Sequence, residues 1–451
     1  MRFVVVGGGL TGLAAAWEWR QVHPDDEVVV LEAAPRPGGK LDRIELAGQW
    51  YDTGPEAMLA RVPEALELVR ELGLGDQLVA PRTTQAAVVL PEGSFPLPAG
   101  TVQGVPTSAI GLDGVLTPAG VARVAAEADL PPLRLDGDVA VGRLLRERLG
   151  DEVVDRLVEP LLGGVYAGRA DELSLAATMP GLFAQLRRSS SVLAAATAER
   201  EAGARSRGDD DGPVFMTVAP GIGSLPDVLL RASGAEVRLG TRAERLRRTR
   251  AGFDVELAGG EVLAADAVLL ATPAGPTARL LAEVAPGAVE PLAGIPYASM
   301  AVVAMAFPAQ PLPAGSGLLV PPVTGRLVKG VTVSSAKWPH LSEGGVVRVR
   351  SSVGRFGDDD ALHRDDAELT AAVVADVADL LQLQCPAPLD TRLVRWDDGL
   401  PQYLVGHPGR VAAVRSAVGA VPGLGVAGAA YEGVGVPACI RDARRAVAGL
   451  S

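Results

Sequence analysis

Residues 2–6, RFVVV, form an almost unbroken apolar run, the pattern of a parallel strand buried on both faces. Residues 10–22 then read as a helix and EVVVLE at 27–32 as a second strand, which together spell a strand–helix–strand unit. VPEALELVRELGL (62–74) repeats apolar residues at helical spacing, with Leu66, Val69 and Leu72 on one face. Residues 119–200, rich in Ala, Leu, Arg and Glu, read as helices broken at Pro131-Pro132 and at Gly163-Gly164. RSRGDDDGP (205–213) is polar and full of breakers, and reads as a mobile loop. Strand runs then return as AEVRL, FDVEL and AVLLAT, and YASMAVVAMAF (297–307) with VVRVRSSVG (346–354) predicts an antiparallel sheet. DAELTAAVVADVADLLQL (366–383) predicts an amphipathic helix, and no repeat of fixed period is present. Signals typical of a nucleotide-binding unit therefore occur at both ends and in the middle. That distribution predicts one discontinuous domain with other modules inserted into it.

Composition narrows this picture. A chain of 451 residues is too long for one ordinary core and predicts two or three domains. Hydrophobic residues make up 48% but aromatics only 4%, so Ala, Val, Leu and Gly carry the interior. The net charge of −12 argues against nucleic acid, whose phosphates need a basic face, and leaves an anionic substrate dependent on a local basic patch. Cys385 and Cys439 have no metal spacing, and His23, His340, His363 and His407 stand far apart, so no zinc site is expected. The longest charge-free stretch, 291–325, contains Pro296, Pro308, Pro311, Pro313, Pro321 and Pro322, which rules it out as a spanning helix. The expectation is a cytoplasmic protein without a transmembrane segment. Peripheral membrane contact stays open.

The strongest local signal is GGGLTG, with Gly7, Gly9 and Gly12 in GxGxxG spacing between a strand and a helix. Gly7 permits the tight turn, Gly9 lets backbone approach a pyrophosphate, and Gly12 permits close helix–strand packing. The helix N-terminus favours phosphate charge, and Glu32, 20 residues past Gly12, can hold a ribose hydroxyl pair. The bland alternative is a plain glycine turn. A second glycine pair, Gly38-Gly39 in AAPRPGGK (33–40), makes another close approach, with Arg36 and Lys40 in reach of phosphate. YDTGPEAM (51–58) adds Asp52, Gly54 and Pro55, which a β-turn alone would also explain.

This set resembles the FAD-binding oxidoreductases of the amine oxidase and protoporphyrinogen oxidase group. EPLLGGVYAGRADELSL (159–175), VSSAKWPHL (333–341), RWDDGLPQYLVGH (395–407) and AYEGVGVPACI (430–440) resemble signatures of oxygen-dependent protoporphyrinogen and coproporphyrinogen III oxidases. GVPT (104–107) is similar to the bacterial coproporphyrinogen branch, so the likeness spans nearly the whole chain. Three positions depart from the pattern: Ala429 stands where the family usually has Asn or Asp, Ala438 where it often has Asp, and Arg169 where it tends to have Asp.

The resemblance implies an α/β chain (α+β overall). A Rossmann-like FAD domain would lie at 1–83, 206–275 and 406–451, a mixed-sheet substrate domain at 84–100 and 276–405, and a mostly helical insert at 101–205. It implies FAD contacts from Gly7, Gly8, Gly9, Leu10, Thr11, Gly12, Glu32, Ala33, Gly39, Lys40, Gly54, Pro55, Glu56, Ala57, Val237, Trp396, Gly428, Val434, Gly435 and Val436. The chain end would return to the flavin ring, with a helix starting from Ile440. The implied reaction takes six electrons from coproporphyrinogen III in three hydride transfers to flavin N5, with O2 as the final oxidant and peroxide as product. Protoporphyrinogen IX oxidation, another flavin amine oxidase-type activity and a non-catalytic porphyrin-binding flavoprotein are the alternatives. Transient contact with neighbouring haem-pathway enzymes is also open.

Such chemistry needs placement and a dry site more than side-chain acids and bases. A carbonyl at Gly164 would take a pyrrole N–H and Tyr166 would line the pocket, against the readings of a helix break and a structural anchor. Arg61, Lys329, Lys337 and Arg348 would meet substrate carboxylates, against an ordinary solvated strand face for Arg348. The run 291–325 would suit a flat hydrophobic ring, against core sheet plus a surface loop.

Overall fold

The computed structural model describes residues 1–207 and 212–450. Residues 208–211 of the loop expected over 205–213 lie outside the described residues, and 205–207 belong to the helix Val192–Arg207.

Five parallel strands form the first sheet, in the spatial order Glu236–Arg238, Glu27–Leu31, Arg2–Val6, Ala267–Leu270, Leu424–Val426. Its central strand is the apolar run at 2–6, with Phe3, Val4 and Val5 fully buried, as a strand covered on both faces requires. The helix Leu10–Val22 covers one face together with Val436–Ala448, in a core shared by Leu13, Trp19, Ile440 and Val447. The opposite face packs on the helix Ala274–Leu281 and the small antiparallel sheet around Phe253–Leu257. The chain therefore leaves and re-enters one sheet, contributing strands from its start, its middle and its end.

The second sheet has seven strands. Asp390–Pro401 forms one edge, followed by Tyr297–Pro308, Val346–Val353, Gly330–Thr332, Gly317–Leu319, Ala86–Leu90 and Gly93–Pro96. All neighbours are antiparallel except Gly317–Leu319 and Ala86–Leu90, so the sheet is mixed. Ala301, Val303, Met305 and Phe307 turn to one face and pack under Leu369, Val373 and Val377 of the helix Asp366–Leu380. Ala304 and Ala306 turn to the other face and meet Leu46, Tyr51 and Trp338. Residues 297–308 of the run 291–325 are thus an interior strand next to the edge of the sheet, with most side chains committed to core on both faces.

The helical module contains Pro118–Ala125, Val141–Leu149, Glu159–Tyr166, Pro180–Leu186 and Val192–Arg207. The break at Pro131-Pro132 is present, whereas Gly163 and Gly164 continue the helix, which ends at Ala167 in the left-handed region (φ 50°). The irregularity lies upstream, where Val154–Val158 forms a π-helical turn. In the helix Pro63–Glu71 the buried residues are Ala65, Leu66, Leu68 and Val69. Leu72 falls at its C-cap because the helix stops one residue earlier.

Candidate active site

Gly7 adopts φ 108°, and a Cβ there would come within 2.6 Å of the Ala271 carbonyl oxygen. A Cβ on Gly12 would lie 1.9 Å from the Gly7 carbonyl oxygen, so both glycines are required by backbone packing alone. The second glycine pair crosses the first: the Gly38 N–H donates to the Gly8 carbonyl at 2.8 Å, and Gly9 bridges Gly38. A Cβ on Gly9 would meet nothing nearer than Gly39 Cα at 4.0 Å, which leaves this cradle open. The N–H groups of Leu10, Thr11 and Gly12 open the helix Leu10–Val22, whose N-cap Gly9 offers no side chain to them.

Glu32 sits at the rim of this cradle. Its carboxylate accepts from the Gly8 N–H and the Ala34 N–H, each at 2.7 Å, while Ala33 between them is exposed. Glu32 is also tied by backbone to Arg238 and Thr241, which brings Val237, paired with Val30, beside it. Lys40 is half-buried with no ion-pair partner among the described residues, and burial lowers its pKa. An open glycine cradle beside an unpaired cation and free helix N–H groups fits a pyrophosphate dianion.

The third loop, Gly54–Ala57, lies directly against the second. A Cβ on Gly54 would sit 1.8 Å from the Lys40 carbonyl oxygen, and Arg350 donates to the Gly54 carbonyl. Pro55 is exposed and Ala57 half-buried, whereas Glu56 is buried and paired with Lys337 at 2.7 Å and Arg350 at 3.5 Å. Burial opposes the Glu56 charge, but Arg350 and Lys337 outweigh it and hold the carboxyl at about 2. The Arg36 guanidinium lies 5.9 Å from the centre of the Trp396 ring, which places Trp396 beside the Gly38-Gly39 loop.

The C-terminal segment closes the group. The helix Val436–Ala448 begins four residues before Ile440, with Gly435 as N-cap, so its N-terminus starts inside the glycine turn. It packs against the helix Leu10–Val22, with Leu10, Val436 and Cys439 in one core. Gly428 (φ 141°) donates its N–H to Asp442 at 3.0 Å. The Tyr403 hydroxyl donates to the Ala429 carbonyl at 2.5 Å and accepts from the Gly433 N–H at 2.9 Å. His407 stacks on Tyr403 with ring centres 4.0 Å apart and contacts the Tyr431 carbonyl through Nε2 at 3.0 Å. The loop is therefore fixed by Tyr403, His407 and Asp442, and the missing side chain at Ala429 leaves no backbone gap there. Tyr403 and His407 lie inside RWDDGLPQYLVGH and could have been singled out there, while Asp442 sits on a helix with no local signal.

Tyr166 joins this cluster. It is buried, its ring centre lies 5.6 Å from that of Tyr403, and Val434 packs into the same core. Burial raises its hydroxyl to about 12. Gly164 is exposed, with open space around the position of a Cβ.

Three of the four expected carboxylate-binding cations are engaged by protein partners. Arg348 is only 2% exposed and its guanidinium is spent on the carbonyls of Leu46, Ala47, Leu341 and Glu343, so it braces the sheet and forms no rim. Lys337 is committed to Glu56. Lys329 is buried with its ammonium on the Gly354 carbonyl at 2.8 Å, and burial together with nearby Arg355 lowers it to about 7. Arg61 lies on the surface.

The chain belongs to the family of flavin containing amine oxidoreductases, whose model matches residues 10–450. It is 39% identical over 448 residues to the coproporphyrinogen III oxidase of Mycobacterium tuberculosis, covering 99% of this chain and 96% of that protein. The coproporphyrinogen III oxidase of Bacillus subtilis is 32% identical over 461 residues, covering 98% and 96%. A solved structure from Exiguobacterium sp. 255-15 that bears the name protoporphyrinogen oxidase superposes with TM-score 0.87 at 33% identity, covering 100% of this chain and 98% of that one. Putrescine oxidase shares the fold, with TM-score 0.70 at 16% identity. The flavin of such an oxidoreductase fits the cradle described above. Among the described residues no helix is long and apolar enough to cross a membrane.

Proposed function

We propose that this protein is a cytoplasmic, FAD-dependent oxidase that converts coproporphyrinogen III to coproporphyrin III with O2 as oxidant. The observation that carries the reading is the convergence of three glycine loops from the start of the chain with the helix start at Val436, in a chain similar over its full length to coproporphyrinogen III oxidases. FAD bound there would supply hydride acceptance at its ring, so the protein need supply no strong acid or base.

The residues divide the remaining work. Gly7, Gly8, Gly9 and the N–H groups of Leu10, Thr11 and Gly12 would receive the pyrophosphate, with Lys40 as counter-charge. Glu32 would hold the ribose hydroxyls, with Ala33 and Val237 flanking the adenosine end. Gly39, Gly54–Ala57, Trp396 and the segment Gly428–Val436 would frame the ring. Tyr166, packed on Tyr403, would form the wall between ring and helical module, and the last-turn carbonyl of Gly164 would accept a hydrogen bond from a pyrrole N–H. Arg61 would meet a carboxylate arm of the substrate.

The test is steady-state turnover of coproporphyrinogen III and protoporphyrinogen IX, prepared anaerobically and mixed with oxygenated, flavin-loaded protein. The expected result is a rise in porphyrin fluorescence with peroxide release, larger for coproporphyrinogen III. Absence of both signals would overturn the reading. A preference for protoporphyrinogen IX would favour the alternative suggested by the name of the Exiguobacterium structure.

A further inference from the structure

Behind the Gly54–Ala57 loop lies a small cavity of about 10 Å³, partly open to solvent, bounded by Tyr51, Asp52, Glu56, Thr217, Trp338 and His340 among others. Three of the residues lining it carry a buried polar atom without a well-formed hydrogen bond: Thr217 Oγ1, His340 Nδ1, and Trp338 Nε1, which lies near enough to the Glu56 carboxylate to help lower its pKa. Thr217 and Trp338 are each 1% exposed. Buried polar atoms are almost always satisfied, and three such atoms around one void call for a common partner. The space matches one water, which needs roughly 10–15 Å³ and two to four polar partners.

We propose that this cavity holds a single ordered water, and that the water carries protons between Asp52 and the imidazole of His340. The donor and acceptor count closes. Trp338 Nε1–H and the Asp52 carboxyl O–H donate to the water oxygen, and the two water hydrogens go to His340 Nδ1 and to Thr217 Oγ1. Asp52 already accepts from the Ile222 N–H at 3.0 Å and the Gly223 N–H at 2.9 Å, one on each oxygen, and retains further lone pairs. Of the residues in the chain of transfer only His340 is half-exposed, while Asp52 is buried.

The two carboxyls differ in what they can contribute. Burial raises Asp52 to about 7, against the opposing pull of the Gly223 N–H and Arg350, so it changes charge near neutrality. Glu56 remains charged, held by Arg350 and Lys337. Burial lowers His340, against the opposing influence of Glu56 and Glu343, so its ring is neutral at neutral pH and Nδ1 can accept. The other charged or titratable groups facing this set are Tyr51, Arg350 and Lys337. In the transfer, the Asp52 carboxyl loses its proton to the water as the water passes a different proton to His340 Nδ1. The imidazolium then releases one proton to solvent. Water and neutral imidazole are regenerated, Asp52 is left as carboxylate, and no electrons move.

A crystal structure of the flavin-loaded protein, at a resolution that places ordered waters, tests the site directly. One water peak within hydrogen-bond distance of Thr217 Oγ1, Trp338 Nε1 and His340 Nδ1 is expected. A dry cavity, or the Trp338 N–H bonded straight to Glu56, would overturn the site. Infrared spectra after a jump into D2O test the transfer, reading the carboxyl band that disappears in Asp52→Asn. His340→Phe is expected to slow deuteration of that band by roughly tenfold or more, and His340→Gln to slow it as well, because its amide oxygen accepts a hydrogen bond but not the proton. Equal rates in wild type and His340→Phe would sink the relay, even with the water in place.

Discussion

Gly12 leaves no room for a side chain, since a Cβ would sit 1.9 Å from the Gly7 carbonyl oxygen. Gly12→Val is therefore expected to give protein that purifies without flavin, read as a collapse of the visible-to-ultraviolet absorbance ratio; a normal ratio would refute the role of this packing. Tyr403 makes a subtler case. Tyr403→Phe keeps the ring stacked on His407 but removes the hydroxyl that joins the Ala429 carbonyl to the Gly433 N–H. Losing these two bonds is expected to cost about 1–2 kcal/mol, or roughly a five- to thirtyfold weaker flavin affinity. Flavin titration of deflavinated protein measures it, and an unchanged affinity would show that the loop holds without Tyr403. At this scale the sequence was most legible where backbone geometry restricts the residue type, as at Gly7, Gly12 and Gly54. It was least legible for cations. The charge of Arg348, Lys337 and Lys329 is visible in the sequence, but most of the groups that absorb it, Leu46, Ala47, Glu56 and Gly354, are distant along the chain.

Among elements, the helical module stands on a buried ion pair. Arg148 and Glu127 approach to 2.7 Å with side chains 6% and 0% exposed, and Glu127 also accepts from Ser191 and the Val192 N–H. Arg148→Ala would strand a buried carboxylate, which typically costs about 3–5 kcal/mol. We expect a lower urea midpoint for the variant, with flavin content retained below the transition because the pair lies outside the glycine loops. A midpoint within error of wild type would contradict this. Asp366–Leu380 was readable from its periodicity and Arg2–Val6 from its unbroken apolar run. Two boundaries were displaced for identifiable reasons. Gly163 and Gly164 sit in a helix already propagated from upstream, where two glycines cost stability without forcing a break. Val436–Ala448 starts early because Gly435 caps it and Pro437 is accommodated in its first turn.

For the whole molecule, buried acids and a buried imidazole pull stability in opposite directions with pH. Asp52 rises from an ordinary 3.8 to about 7, so the native state binds more protons than the unfolded chain in that window. Its contribution to stability is full below about 4 and is lost as pH rises through 7. His407 falls from 6.5 to about 4 by burial, so its contribution is present above 6.5 and is lost as pH drops towards 4. Asp52→Asn is expected to flatten the decline in melting temperature between pH 4 and 7 while leaving the loss caused by His407 in place. A wild-type pH profile in the variant would show that Asp52 is not the titrating group. The division of a nucleotide-binding sheet among distant segments was legible because each segment carries its own apolar run. The pairing of Ala86–Leu90 with Gly317–Leu319 was not, because short strands so far apart carry no mark of their partner.

The strand order of the first sheet also sets a timetable for synthesis. Arg2–Val6 leaves the ribosome early, yet its neighbour Ala267–Leu270 follows only after the entire helical module has been made. At the usual pace of about 5–20 residues per second, one hydrogen-bonding edge of a very apolar strand waits for tens of seconds. The nascent chain must shelter that edge throughout the interval, and chaperone supply would then govern yield. Cofactor loading comes later still, because the wall of its site at Val436 is translated after that strand.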